Sequence, residues 1–289
     1  DKGCLDSISK TIKIYPIPLA SFTVDKLAGC GPMEVQMTNL SNPKDTSSMA
    51  HMSFEWDFGN GILSSDQDPK TTFSSSRTRD TFYSVWLRAY SEHGCVDSVR
   101  QAIQLYPNPT MSVFPSVKHG CGPLGVHFIN LSTPNDVSSL FDMSFKWDYG
   151  NGDTSSGIAG KSTFQQPQFR DTVYNVQVIG FTEHHCTDTT IVPITVHPDP
   201  TANFKPNTYS GCSPLKLSFD NLSSPNDTGG LANMQFIWEF EQGIKGRSPM
   251  PSYTYNNFGN KDSSYVVKLV SISRWNCRDT IFSLILFIV

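Results

Sequence analysis

The sequence predicts an all-β protein built from three tandem antiparallel β-sandwiches, and three observations support this fold class. One aromatic stretch occurs three times in 289 residues, with its tryptophans at Trp56, Trp147 and Trp238, two steps of 91. Within each copy aromatic and polar residues alternate, which is the period-two pattern of a half-buried strand. Further strand-like segments follow at even spacing with turn-forming residues between them. Because the copies keep one register, the chain is predicted to be a tandem array.

The three copies of the aromatic stretch are predicted to be core strands that end in tight turns. They cover Ser53–Gly61 (SFEWDFGNG), Ser144–Gly152 (SFKWDYGNG) and Gln235–Gly243 (QFIWEFEQG). Each tryptophan shares a face with the aromatic residues two positions away. The three tryptophans are therefore expected in the core rather than on a sugar-binding platform.

The elements of the first repeat follow in order from alternation and from turn-forming residues. Gly29–Pro32 is predicted to be a turn and Ser41–His51 a polar loop. Several short strands are expected between Gly61 and Asp80. The longer strands share an inward apolar series and are predicted at Ala20–Asp25, Val35–Leu40, Phe54–Phe58, Tyr83–Ala89 and Cys95–Tyr106.

The repeat also sets the expected domain boundaries. Residues 1–7 match residues 92–98, so residues 1–18 are predicted to be the final strand of a preceding repeat. Complete repeats are then expected at residues 19–107, 108–198 and 199–289, arranged end to end. The chain is predicted to be a piece of a longer array whose targeting signal lies elsewhere.

Short, stiff joints are predicted between the repeats. The segments Tyr15–Pro18, Tyr106–Pro109 and His197–Pro200 stand at equivalent positions, and each contains two prolines. Proline fixes φ and removes a hydrogen-bond donor. The segments are therefore expected to be extended connections rather than flexible linkers.

Charge and hydropathy argue against several classes of partner. The net charge is −4, from 22 basic and 26 acidic residues that are spread along the chain. A surface for nucleic acid or for an anionic membrane would need a basic patch, so neither partner is expected. The final apolar run, Ile281–Val289, is shorter than the roughly 20 residues that a membrane span needs, and it is predicted to be a last strand.

Seven cysteines follow the same period of 91 residues. They fall into two series: Cys30, Cys121 and Cys212, and Cys4, Cys95, Cys186 and Cys277. Regular spacing without a Cys-x-x-Cys motif argues for disulfides rather than for metal or redox sites. Disulfides indicate an oxidising compartment, so a secreted protein is expected.

No catalytic, cofactor-binding or metal-binding site is predicted from the sequence. The seven histidines share no period and no ligand spacing, and no Ser/His/Asp or Cys/His set recurs. The run His184-His185-Cys186 resembles a metal-binding motif, but the equivalent positions in the other repeats do not preserve it. A protein without enzymatic activity is therefore expected.

Three motifs together resemble the PKD (polycystic kidney disease) domain, whose fold is an immunoglobulin-like β-sandwich. They are Trp-Asp-Phe-Gly-Asn-Gly at Trp56–Gly61, Tyr-x-Val-x-Leu at Tyr83–Leu87, and Gly-Cys-x-Asp at Gly94–Asp97. The Gly-Cys-Gly-Pro motif at Gly29–Pro32 is similar to the version common in secreted proteins of Bacteroidota. In that group, tandem arrays occur in very large surface proteins, including gliding-motility adhesins.

The resemblance implies a function that is structural and located at the bacterial cell surface. The expected role is a non-catalytic stalk or filament segment of a large adhesin, which spaces a distal region from the cell and bears load. Expected partners are the neighbouring repeats of the same chain and other surface or filament proteins. The alternative is an accessory array in a secreted hydrolase or peptidase that contacts polymer substrate.

The immunoglobulin-like topology that the resemblance implies also favours one pairing of the cysteines. It places Cys30 and Cys95 at opposite ends of one sandwich, which argues against bonding within a repeat. The expected bonds join successive repeats, as Cys30–Cys186 and Cys121–Cys277. The remaining cysteines are expected to pair with repeats outside this chain: Cys4, Cys95 and Cys212.

Five hydroxyl residues resemble the Asp-Ser/Thr-apolar O-glycosylation motif of Bacteroidota: Ser7, Ser98, Thr172, Thr189 and Thr280. Four of these motifs lie at the start of the final strand of a repeat. A structural role of the aspartate there explains those four equally well. Both interpretations stay open.

Overall fold

The computed structural model describes residues 2–46, 48–166, 168–227 and 229–287. Within these ranges the regular elements are β-strands and three short 3-10 helices, at Met49–His51, Leu140–Asp142 and Leu231–Asn233. None of the described helices has the length and apolar character needed to cross a membrane. The described fold is therefore built almost entirely from β-sheets.

Each repeat contributes eight strands at equivalent places. Repeat 1 contains β1 (Phe22–Val24), β2 (Ala28–Cys30), β3 (Met33–Asn39), β4 (Ser53–Asp57), β5 (Leu63–Ser64), β6 (Lys70–Phe73), β7 (Thr81–Tyr90) and β8 (Val96–Tyr106). Repeat 2 contains β9 (Val113–Pro115), β10 (His119–Cys121), β11 (Leu124–Asn130), β12 (Ser144–Asp148), β13 (Thr154–Ser155), β14 (Gly160–Phe164), β15 (Thr172–Phe181) and β16 (Thr187–His197). Repeat 3 contains β17 (Phe204–Pro206), β18 (Ser210–Gly211), β19 (Leu215–Asn221), β20 (Gln235–Glu241), β21 (Ile244–Gly246), β22 (Ser252–Tyr255), β23 (Ser263–Ile272) and β24 (Arg278–Phe287).

The strands of each repeat form one three-stranded and one five-stranded sheet. In repeat 1 the orders are β1-β3-β6 and β2-β8-β7-β4-β5, and the other repeats keep the same arrangement. Strand pairs are antiparallel except that β2, β10 and β18 run parallel to the final strand of their own repeat. The predicted fold of tandem immunoglobulin-like antiparallel β-sandwiches is confirmed.

A hydrophobic core lies between the two sheets of each repeat. Along β3, buried and exposed side chains alternate strictly, because one face of the sheet points inward. Trp56, Trp147 and Trp238 are at most 1% exposed. Each indole Nε1 donates to a backbone carbonyl ten residues further on, at 2.8–2.9 Å. The three tryptophans are therefore buried with their polar atom satisfied.

Two segments differ from the sequence expectation. The expected turn at Gly29–Pro32 overlaps a short strand, β2, which pairs in parallel with Gln104–Tyr106 at the end of β8.

Residues 2–18 form no strand, although they match the final strand of a repeat. A strand needs a partner for its backbone groups, and β8 has β7 whereas residues 2–18 have no adjacent strand. Of the expected last strand, residues 288 and 289 lie outside the described residues.

The chain folds into two compact units. The first comprises Asp1–Thr110, Ser132–Ser144 and Gly180–Asp188. The second comprises Met111–Leu131, Phe145–Ile179 and Thr189–Val289. The first unit thus holds repeat 1 together with two short segments of repeat 2, and the second holds most of repeat 2 together with repeat 3.

Candidate functional site: the joints between repeats

Two sets of residues connect successive repeats. Joint 1 is defined by Cys30, Tyr106, Asn135, His184 and Cys186. Joint 2 is defined by the equivalent residues Cys121, His197, Asn226, Trp275 and Cys277. All residues of joint 1 belong to the first compact unit, and all residues of joint 2 belong to the second.

A disulfide bond closes each joint. Cys30 bonds Cys186 with a Cα–Cα distance of 5.4 Å, and Cys121 bonds Cys277 at 5.5 Å. Both distances are usual for disulfides. Cys186 and Cys277 are buried, at 0% and 2% exposure. Each disulfide therefore joins the last residue of β2 or β10 in one repeat to the turn before the final strand of the next repeat.

These are the two pairs that the sequence favoured, and the position of β8 explains why the pair within one repeat does not form. Cys30 lies opposite Tyr106 at one end of β8, whereas Cys95 directly precedes the other end. The strand has 11 residues, which separates its ends by roughly 33 Å. Among the described residues, Cys4, Cys95 and Cys212 carry no disulfide.

A pair of stacked rings lies beside each disulfide. Tyr106 stacks on His184 in joint 1, with ring centroids 3.6 Å apart and planes inclined by 12°. His197 stacks on Trp275 in joint 2, at 4.0 Å and 7°. In each pair the two positions are 78 residues apart in sequence. Stacked rings resist sliding and tilting, so they restrict the joint at a second point besides the disulfide.

A related ring contact, tilted by 31°, occurs in front of repeat 1. Tyr15 lies 3.5 Å from the ring of His93, again across 78 residues, and its carbonyl oxygen is 4.0 Å from Sγ of Cys95. The equivalent residues of joint 1, Tyr106, His184 and Cys186, lie at a formed disulfide. Tyr15 therefore contacts the turn before β8 as Tyr106 contacts the turn before β16, although residues 2–18 form no strand.

An asparagine in each joint binds the connecting segment. Nδ2 of Asn135 donates to the carbonyl oxygen of Asn108 at 2.8 Å and to Oγ1 of Thr110 at 2.7 Å. Nδ2 of Asn226 makes the same two contacts with Asp199 and Thr201. The φ angles of Asn135 and Asn226 are 66° and 57°, a left-handed conformation that asparagine tolerates better than most residues. The amide and the backbone conformation together hold the proline-containing segment in place.

Replacing Asn135 by alanine is expected to lower the free energy of unfolding by about 1–2 kcal/mol. The variant loses both hydrogen bonds of the amide and must keep a left-handed φ, which alanine disfavours. Asn135→Gly separates the two causes, because glycine accepts this φ and lacks only the amide. Calorimetric melting of both variants measures the difference. Equal Tm values for Asn135→Ala and the unaltered protein would contradict a role of this residue in the joint.

The two rings of joint 2 also contact charged or ionisable side chains. Nδ1 of His197 lies 2.8 Å from Oδ1 of Asp171, and the imidazole is 3% exposed. Arg274 stacks over Trp275 at 4.9 Å and pairs with the buried carboxylate of Asp227 at 3.3 Å. Each ring of joint 2 therefore has a polar contact in addition to the stacking. In joint 1, Nε2 of His184 lies 3.4 Å from Oε1 of Glu183.

Asp199 lies beside the second disulfide. Burial raises the pKa of its carboxyl above the usual range, a hydrogen bond from Gln166 opposes the rise, and the carboxylate of Asp279 adds to it. Asp199 also lies within 4.8 Å of the sulfurs of Cys121 and Cys277. Because both sulfurs belong to a disulfide, this group offers no thiolate ligands to a metal ion.

The candidate glycosylation residues lie on the surface of the described structure. Ser7, Ser98, Thr189 and Thr280 are exposed, and Thr172 is half-buried. The preceding aspartates have a structural role in two repeats: Oδ2 of Asp97 accepts from the backbone N–H of Ala20, and Oδ2 of Asp279 from that of Ala202. An accessible hydroxyl and a structural aspartate therefore coexist at the same motif.

Comparisons with known proteins do not assign this chain to a family. No protein-family model and no curated protein matches the chain. The PKD1 domain of the Vibrio cholerae metalloprotease PrtV is 26% identical over 31% of this chain and 98% of that domain, with a TM-score of 0.26. The PKD1 domain of Vibrio anguillarum Epp is 27% identical over 32% of this chain and 96% of that domain, with a TM-score of 0.25. Three N-terminal domains of the bacteriophage RB49 outer capsid protein Hoc are 12% identical over 94% of this chain and 98% of that chain, with a TM-score of 0.36.

Proposed function

We propose that this chain is a non-catalytic spacing and load-bearing segment of a large extracellular protein, built from PKD-type repeats. The observation that carries the proposal is that a disulfide, a ring pair and an asparagine recur together in both joints. A chain of independently acting domains would need only a linker. Covalent joints suit a segment whose repeats must stay connected under load.

When the chain is pulled, the disulfides allow the force to pass along a covalent path that bypasses most of the sandwich of repeat 1. The segments Cys4–Cys30 and Cys186–Cys212 each span 26 residues, and the Cys30–Cys186 bond links the two. Residues 31–185 therefore lie outside this path. Strands β3 to β7 of repeat 1 are among them, so force on the path does not pull directly on the core of that sandwich.

The cellular setting belongs to the same proposal. The segment is assigned to a bacterial cell-surface adhesin of the gliding-motility type in Bacteroidota, in which further repeats precede and follow it. Cys4, Cys95 and Cys212 then bond those repeats in the manner of Cys30 and Cys186. The exposed Ser98, Thr189 and Thr280 are accessible for O-glycans, and other surface or filament proteins are the partners.

The proposal is tested by exchanging modules in the full-length protein within the cells that produce it. Residues 19–289 are replaced by three unrelated immunoglobulin-like modules of the same combined length. Adhesion is expected to be retained with three modules and reduced with one, because spacing rather than local chemistry is required. Loss of adhesion with three modules, at an unchanged amount on the cell surface, would show that this segment contributes binding and would overturn the spacing role.

A further inference from the structure

The disulfide of joint 2 has a carboxylate beside it that the disulfide of joint 1 lacks. A carboxylate oxygen of Asp199 and the sulfurs of Cys121 and Cys277 all lie within 4.8 Å of one another. No such group of described residues includes Cys30 and Cys186. The two joints therefore differ in the charge that lies directly at the bond.

The position of Asp199 is neutral in the other repeats. The residue one period earlier is Asn108, and the residue two periods earlier is Ile17. In joint 1, Nδ2 of Asn108 donates to the carbonyl oxygen of Gly31 at 2.8 Å, a bond that a carboxylate cannot donate. Asparagine thus suffices to hold the connecting segment. The need to hold this segment does not explain the negative charge in joint 2.

The remaining charges of joint 2 either are paired or have an equivalent in joint 1. His197 and Arg274 each contact a carboxylate, that of Asp171 and that of Asp227 respectively. The carboxylate of Asp279 acts on Asp199, but joint 1 has Asp188 at the equivalent position. Arg278 follows Cys277 in sequence and acts in the opposite sense, since a cation attracts anions. Asp199 is therefore the acidic residue that sets joint 2 apart.

The two disulfides are similarly accessible. Cys30 and Cys121 are half-buried, whereas Cys186 and Cys277 are buried. A reducing thiol therefore reaches each bond at the equivalent sulfur. Because burial is so similar, a difference that depends on the charge of the thiol has to come from the groups around the bond.

Reduction of a disulfide begins with the attack of an anion. A thiolate attacks Sγ of Cys121, the S–S bond breaks, a mixed disulfide forms, and Cys277 leaves as a thiolate that takes a proton from water. A second thiolate then attacks the reductant's sulfur in the mixed disulfide and releases Cys121, which is protonated in turn. Two reductant thiols are thereby oxidised to one disulfide. The first step brings a negative charge close to the carboxylate of Asp199.

We propose that Asp199 protects the Cys121–Cys277 bond from reduction by anionic thiols, a protection that the Cys30–Cys186 bond lacks. Two negative charges about 5 Å apart repel each other enough in water to slow the attack about fourfold, and by more where water is excluded. The benefit of this protection rests on the proposed load-bearing function, because a joint that resists reduction keeps repeats 2 and 3 connected. The reduction rates themselves do not depend on that function.

The test follows the reduction of each bond in the oxidised chain at pH 8 and low ionic strength, where a carboxyl group is ionised. The free cysteines are alkylated beforehand: Cys4, Cys95 and Cys212. One reductant is 2-mercaptoethanesulfonate, whose thiolate carries an additional negative charge, and the other is cysteamine, whose ammonium group offsets the charge of its thiolate. Alkylation stops the reaction, and peptide mass spectrometry measures each bonded cysteine separately. The observable is the ratio of the cysteamine rate to the mercaptoethanesulfonate rate at each bond.

This ratio is expected to be about three- to tenfold larger for joint 2 than for joint 1. Asp199→Asn gives joint 2 the residue of joint 1 and should remove the excess, whereas Asn108→Asp should create it in joint 1. Asp220→Asn removes an exposed carboxylate from β19 of repeat 3 and is the matched control, which should leave both ratios unchanged. Raising the salt concentration should reduce the excess in the unaltered chain, because salt screens the repulsion.

Three outcomes would overturn the inference. The first is an equal ratio for the two bonds of the unaltered chain, and the second is an Asp199→Asn variant that keeps the excess. The third is slower reduction of joint 2 by both reagents in Asp199→Asn, which would make Asp199 a proton donor to the leaving thiolate of Cys277. None of these results bears on the exchange of modules, so the spacing function and the protection of the bond succeed or fail separately.

Discussion

Reducing the Cys30–Cys186 bond at a force high enough to unfold the enclosed repeats is expected to lengthen the chain by about 530 Å. The bonded residues are 156 positions apart, and an extended chain gains ~3.4 Å per residue. The measurement uses a variant with Cys121→Ser and Cys277→Ser, so that one disulfide alone limits the extension. The chain is held at its two ends in a single-molecule force experiment, and a reductant is added while the force is kept constant.

The same experiment distinguishes the two ways in which Cys30 can pair. A bond to Cys95 would enclose 65 residues and release only ~220 Å on reduction. Adding Cys186→Ser to the variant provides the control, in which no step should follow the reductant. A step near 220 Å in the original variant would contradict bonding between repeats. It would also remove the covalent path on which the load-bearing function depends.

Loss of the bond is also expected to be costly at equilibrium. Closing a loop of this length restricts the unfolded chain, and the chain-entropy model assigns about 5 kcal/mol to it. The force experiment measures a length, which is set by the positions of the two cysteines in the sequence.

Strand positions were predictable from the sequence wherever one face of a strand is buried. The expected strands at Val35–Leu40 and Tyr83–Ala89 correspond to β3 and β7, with ends that differ by one or two residues. Alternation gives this accuracy because each inward residue enters the same core. β2 was missed, since three residues carry no alternation and their partner on β8 is some 75 positions away.

The segment at residues 2–18 shows the limit of pattern alone. Its apolar residues match those of β8, and the sequence therefore predicted a strand. In the structure Leu5, Ile8, Ile12 and Ile14 are 84–99% exposed. The apolar pattern marks residues that can form a strand, but a strand forms only where a neighbouring strand pairs with its backbone. Local sequence does not reveal whether that neighbour is present.

The disulfides of the joints could be inferred from the sequence more readily than the ring pairs. Cysteine recurs unchanged at its period, and topology then restricts the partners. The ring pairs use different residue types at equivalent positions, namely Tyr106 and His197 on one side and His184 and Trp275 on the other. Each type can form a flat contact, so the physical role persists while the residue changes. A search for equivalent aromatic or imidazole positions 78 residues apart would have found them.

Replacing Trp147 by alanine is expected to destabilise repeat 2 by about 3–5 kcal/mol, the usual cost of removing a large buried aromatic side chain. The indole is 1% exposed and packs near Phe128 and Tyr149, with ring centroids 5.7 and 6.1 Å away. Its Nε1 donates to the carbonyl oxygen of Gly157 at 2.8 Å. Alanine leaves both a cavity and a carbonyl that loses this donor. Calorimetry of the oxidised chain should show one of its transitions shifted to a clearly lower temperature.

Trp86 supplies the matched control, because it is the same residue type on the outer face of β7 and is 39% exposed. Its ring lies beneath Arg100 at 5.7 Å rather than in the core. Trp86→Ala is expected to cost less than about 1 kcal/mol, as most surface substitutions do. Trp147→Phe should fall between the two, since it keeps an aromatic ring but removes the donor to Gly157. Equal destabilisation by Trp147→Ala and Trp86→Ala would mean that the repeated tryptophan is not what holds the two sheets together.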